Sequence, residues 1–134
     1  MCKRQTMATK SETGKLGEDL ACRYLVDKGY KIIERNYRKP WGELDIVTWA
    51  PDRTLVFIEV KTIVSYNIKD VDNLLITPEE QLTASKLSKL KRTASLYAGE
   101  FSDKISDDKG WRMDLLALTI TQKNCHMKHY ENVV

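Results

Sequence analysis

Cysteine is scarce and unpatterned in this sequence. Cys2, Cys22 and Cys125 are odd in number, and no C-x-x-C pair occurs. That excludes a disulfide framework and a cysteine zinc site and fits a reducing cytoplasm. Long apolar runs are missing too: none approaches the roughly 20 residues a membrane-spanning helix needs. The opening "MCKRQTMATKSETG" is polar and basic with no apolar centre, so it does not read as a signal peptide. We read residues 1–12 as a disordered tail and residues 13–134 as one domain. Histidine is limited to His126 and His129, three apart on an expected strand and therefore on opposite faces, which argues against a shared metal. Charge of one sign is absent as well. The 22 basic and 19 acidic residues leave +3, compatible with an anionic partner without requiring one.

What is present is ordinary for a globular domain: 42% hydrophobic and 31% charged residues, enough for one modest core. No internal repeat or low-complexity segment interrupts it. "TGKLGEDLACRYLVDKG" spaces Leu16, Leu20, Ala21, Tyr24 and Leu25 as a helix, with Thr13 as its cap and Gly29 just past its end. "YKIIERNYR" reads as a strand, and Pro40 and Gly42 separate it from the next. Residues 41–62 supply two strands around "APDRT". An irregular arm over 63–76 precedes a second helix reaching about Ala98, begun either at "TPEE" or at Thr83. "MDLLALTI" and "HMKHYENVV" close the chain as strands. The order α-β-β-β-α-β-β predicts an α/β domain with a mixed β-sheet flanked by helices.

The central hairpin raises the question of function. "LVFIEVKT" places Leu55, Phe57, Glu59 and Lys61 on one strand face, and "GELDIVTW" places Glu43, Asp45, Val47 and Trp49 on one face of its neighbour. Matching Val47 to Phe57 and Trp49 to Leu55 puts Asp45 across from Glu59 and Glu43 across from Lys61. Opposed residues have Cβ atoms about 4.5–5.5 Å apart. Two carboxylates that close need a cation between them. Lys61 is one candidate, giving a structural ion pair. A divalent ion such as Mg²⁺ or Mn²⁺ is the other, since hard cations take carboxylates, waters and phosphates as ligands.

Other residues bear on that choice. Glu18 lies at the border of the first helix's apolar stripe, where an acid often merely flanks the core. Lys86 projects from a stripe formed by Leu82, Leu90, Ala94 and Tyr97, and lysine is seldom buried without a partner. Lys86, Lys89, Lys91 and Arg92 form a basic stretch suited to phosphate, although a solvated helix face explains all but Lys86 equally well. Of the tryptophans, Trp49 fits the core, while Trp41, in the loop before the hairpin, is placed to stack on a base.

A glutamate in the first helix, an aspartate in a strand and E-x-K on the next strand resemble the PD-(D/E)-x-K nuclease superfamily. "GKLGEDLACRYLVDKGYKIIERNYR", "GELDIV", "LVFIEVKT", "PEEQLTASKLSKLKRTASLYA" and "WRMDLLAL" more closely resemble the small bacterial endonuclease-like proteins of the YraN type, distantly similar to archaeal Holliday-junction resolvases. The resemblance implies a restriction-endonuclease-like core and metal ligation by Asp45, Glu59 and the Val60 carbonyl. It makes Lys61 the catalytic lysine, Glu18 a further acid and Lys86 an auxiliary catalytic residue. From the residues themselves, Lys86, Lys89 and Trp41 are the ones expected toward nucleic acid. It also implies hydrolysis of phosphodiester bonds in DNA, including structured or branched DNA, with Mg²⁺ or Mn²⁺, and two-fold symmetric junctions would favour a homodimer. A non-catalytic nucleic-acid-binding module on the same fold and a protein-interaction accessory protein are the rival readings. The chain departs from the resemblance after E-V-K, where "TIVSYNIK" begins a longer arm.

Overall fold

The computed structural model of the chain describes residues 10–64, 82–122 and 124–134. Helix α1 (Lys10–Asp27) leads into β1 (Lys31–Lys39), β2 (Gly42–Trp49) and β3 (Leu55–Val64). Helix α2 (Ala84–Glu100), a 3₁₀ turn at Ser102–Lys104, β4 (Trp111–Ile120) and β5 (Cys125–Tyr130) follow. The five strands form one sheet in the order β1-β2-β3-β4-β5. All neighbours are antiparallel except β3 and β4. Parallel neighbours cannot be joined by a tight turn, and α2 lies within their connection. The fold is therefore α/β, with a mixed sheet flanked by helices, as the pattern predicts. Among the described residues no helix is long and apolar enough to cross a membrane.

Each helix covers its own face of the sheet. Ala21 and Leu25 of α1 pack on Ile46, Val56, Ile58, Leu116 and Leu118. Ala94 and Tyr97 of α2 pack on Val47, Leu55, Phe57 and Met113. The odd residues of β3 thus face α2 and the even ones α1, the alternation a strand imposes. Burial of side chains this size is worth about 1.5–3 kcal/mol each, so each helix is fixed by a few residues. Tyr97 is central on its side, edge-to-face with Tyr37 and Phe57 at centroid distances of 5.0 and 5.4 Å.

One helix start differs from expectation, and the other is decided between two alternatives. Helix α1 already runs from Lys10, three residues inside the stretch read as tail, so Thr13 lies within the helix and does not cap it. "KSE" contains no proline or glycine to stop the helix earlier. Its other end agrees: the Tyr30 N–H donates to the Leu25 carbonyl and the Gly29 N–H to Val26, the double closure of a Schellman turn. Of the two proposed starts for α2, Thr83 is the cap. Its Oγ1 accepts from the Lys86 N–H at 3.2 Å. The "TPEE" alternative and the arm beyond residue 64 lie outside the described residues. With the helix starting there, Leu82 is buried ahead of it, and Lys86 sits exposed in the first turn and not within a buried stripe.

Candidate functional site

The β2–β3 ladder pairs Trp49 with Leu55, Val47 with Phe57 and Ile46 with Ile58, the register expected from the apolar residues. Pairing ends there. Two residues further along β3, the Val60 N–H donates to a carboxylate oxygen of Asp45 at 2.8 Å. The alternation of β2 also breaks at this point. Ile46 faces α1, yet Leu44 and Val47, three apart, both join the cluster against α2. On β1 the matching irregularity is Asn36, at φ 55°, between Arg35 paired with Ile46 and Tyr37 paired with Leu44. The sheet therefore opens where the acids stand, and Asp45 fills the opening with its side chain.

Asp45, Glu59, Lys61 and Lys86 line one cleft of about 360 Å³, together with Lys89 and Trp41. The cleft lies between the hairpin and α2. Its wall on the helix is the single face formed by Lys86, Lys89, Leu90 and Thr93. Thr93 also fixes the near end of β2: a Cβ on Gly42 would collide with Thr93 Oγ1, so only glycine lets the strand start this close to α2.

The two acids are neighbours in this cleft. Burial pushes the Glu59 carboxyl up to about 8, helped by the Asp45 charge beside it, while Lys61 and Lys86 oppose the shift. Burial also raises Asp45, against the pull of the Val60 N–H, Glu59 and Lys61. At neutral pH the pair thus retains one proton. Its position marks a place where the site favours positive charge.

Not every expected residue joins this cleft. Glu18 lines a neighbouring one, with Lys15, Arg35, Asn36 and Arg38, and lies 3.6 Å from Arg35. The reason is the seating of α1. Gly17 presses on Thr62 so closely that a Cβ would strike its Oγ1. Thr62 belongs to the even face of β3, whereas Glu59 and Lys61 belong to the odd face. Glu43 lines the acid cleft, but its ion pair is with Arg38 at 3.2 Å. The predicted facing of Glu43 and Lys61 does not extend the observed ladder. Lys15, Arg35 and Arg38, which carry no pattern in the sequence, prove to share the second cleft.

A second buried carboxylate escaped the sequence reading. Asp114 is fully buried in β4 and accepts from Arg112 Nε at 3.0 Å and the Asn132 N–H at 2.9 Å. His129 Nε2 lies 2.8 Å from its other oxygen, and Arg112 also donates to the Tyr30 hydroxyl. The available signal was an aspartate inside an apolar strand two residues after an arginine. His129 serves this network, and among the described residues no group of three or more His, Cys, Asp or Glu suited to a metal occurs. Cys22 and Cys125 are half-buried.

The family model described as "Uncharacterised protein family UPF0102" matches residues 17–118. A UPF0102 protein of Fervidobacterium nodosum is 35% identical over 118 residues, covering 88% of this chain and 78% of that protein. One from Alkaliphilus oremlandii is 36% identical over 120 residues, covering 89% and 94%. Among solved structures, the crystal structure of a repair endonuclease from Pyrococcus abyssi aligns at 17% identity with a TM-score of 0.45. That alignment covers 89% of this chain and 42% of the endonuclease chain, so the protein spans under half its length.

Proposed function

The chain belongs to the UPF0102 family, and we propose that it is a metal-dependent endonuclease that hydrolyses phosphodiester bonds in DNA. The observation that carries this reading is the placement of Asp45 and Glu59 together at the open end of the hairpin, beside Lys61 in a cleft lined by further lysines. A carboxyl pair that keeps a proton near neutral pH is a poor structural ion pair and a good place for a cation.

The donor set suits a hard ion. Mg²⁺ commonly takes one or two carboxylates and fills its other positions with waters and substrate phosphates. Asp45 and Glu59 would supply the carboxylates. The Val60 carbonyl leaves β3 on the same side as its N–H, toward the gap beside Asp45, and would be a third oxygen. A divalent ion held there supplies charge that activates water and neutralises a developing phosphate anion. The protein's own groups do the rest. Lys61 orients the attacking water and, with Lys86, offsets charge on the phosphate in the transition state. Lys89, on the same face of α2, holds an adjacent phosphate electrostatically. Glu18, in the next cleft, serves the approach of the strand and not the ion.

The test is incubation of the protein with linear, flapped and four-way DNA in Mg²⁺, Mn²⁺ or chelator. Cleavage that needs the metal and is lost in Asp45→Asn supports the reading. Salt-dependent binding without cleavage in either metal would instead identify a non-catalytic nucleic-acid-binding module.

A further inference from the structure

We infer that Trp41 is a stacking platform for an unpaired nucleobase, so that the cleft selects DNA whose bases are exposed next to the phosphate held by the lysines of the acid cleft. This rests on the nuclease reading and narrows its substrate. Trp41 is 48% exposed, yet it lines the acid cleft. The other large exposed apolar residues, Val26, Leu96 and Val134, line none of the described clefts. Scattered single residues of that kind need no explanation. An indole at the lip of a charged cleft is different.

The remaining tryptophans are committed elsewhere. Trp49 donates its Nε1–H to the Lys104 carbonyl at 2.9 Å and carries Arg53 over its ring. Trp111 stands edge-to-face on Phe57. Trp41 is also held in place, because it precedes Gly42, which is seated against Thr93 of α2. The cleft thereby combines two chemistries. Asp45, Glu59, Lys61 and Lys86 provide charge, while Trp41 and Leu90 provide apolar surface. A nucleotide has the same division between its phosphate and its flat base.

The distances suit one or two nucleotides. Trp41 and Asp45 are four residues apart, so their Cα atoms lie within about 14 Å. A cleft near 360 Å³ is the size of a small-molecule site and not of a duplex. In paired DNA both faces of each base are already stacked. Only a single strand, a flap or the opened base at a branch offers a face to an indole, and aromatic stacking of this kind tolerates any base.

The experiment is a binding titration with a labelled single-stranded oligonucleotide and the same sequence as a blunt duplex, at fixed salt with Ca²⁺ replacing Mg²⁺. Wild type, Trp41→Ala and Trp41→Phe are compared, and intrinsic tryptophan fluorescence is followed in parallel. Trp41→Ala should lose about tenfold or more in single-strand affinity, with duplex affinity changed less than twofold. Trp41→Phe should keep most of the affinity while losing the fluorescence quenching seen in wild type. Equal losses on both DNAs, no loss on either, or a wild type that binds only duplex would each overturn the stacking platform and leave the nuclease reading standing. A wild type that binds neither DNA and cleaves nothing would overturn both.

Discussion

The protein holds carboxylates inside its sheet in two places and treats them in opposite ways. Asp114 is completely buried, and burial works to raise its carboxyl, but His129, Arg112 and the Asn132 N–H outweigh it and hold the group below the usual carboxylate range. Asp45 and Glu59 are only half-buried, yet burial raises both, and the nearby Val60 N–H, Lys61 and Lys86 do not outweigh it. Depth of burial therefore does not mark the functional acid. The unmet demand for positive charge does. Asp114 has a cation, Arg112, and two further partners built in, whereas the hairpin pair leaves room for a cation to arrive.

The largest expected effect falls on the satisfied carboxylate. Asp114→Ala strands Arg112 and His129 and should cost about 3–5 kcal/mol, as removal of one partner from a buried charged cluster does. Urea unfolding should show that loss, while Asp45→Asn stays near wild type or above it. Comparable losses in both variants would erase the contrast.

Next in size is the reaction itself. Lys61→Met should lower single-turnover cleavage about 10²–10³-fold. The fold and most DNA affinity should survive, since phosphate binding is shared with Lys86 and Lys89. A proportionate loss of binding and cleavage would reduce Lys61 to a simple electrostatic contact.

The two regions should also respond to pH with opposite slopes. Glu59 moves from its ordinary 4.5 to about 8 on folding, so between those values the folded state holds the extra proton and metal-free stability falls as pH rises. Asp114 is lowered from 3.8, so its contribution is present above that value and is lost as acid protonates the folded group. Glu59→Gln should flatten the first slope in a thermal-melt series from about pH 2 to 9 and leave the acid limb unchanged. The smallest effect is positional. Gly42→Ala pushes the hairpin off Thr93 and should weaken single-strand binding several-fold with metal affinity intact, read by the same titrations.

The hairpin was legible in the sequence because strand alternation is strict and its apolar residues admit one good register. Val47–Phe57 and Trp49–Leu55 settle the pairing, and Asp45 and Glu59 lie just beyond its end, in one cleft. The break at Asp45 was not legible. There the Val60 N–H finds a carboxylate in place of a strand carbonyl. Glu18 was misplaced for a related reason. A helical wheel shows which residues border the buried stripe, but the contact between Gly17 and Thr62 decides which face of the sheet the helix covers. Asp114 stayed hidden because its partners come from Arg112, His129 and Asn132, and the latter two lie beyond any local spacing rule.

The central claim is that the proton retained by Asp45 and Glu59 occupies the place of a divalent cation. Titration calorimetry of Mn²⁺ into wild type and Glu59→Gln at pH 7, repeated in buffers of different ionisation enthalpy, tests it most directly. A cation that displaces the retained proton should bind wild type with release of up to about one proton, bind more tightly as pH rises toward 8, and bind Glu59→Gln far more weakly. Equal affinity in the two proteins, or binding to wild type with no proton released, would contradict the account.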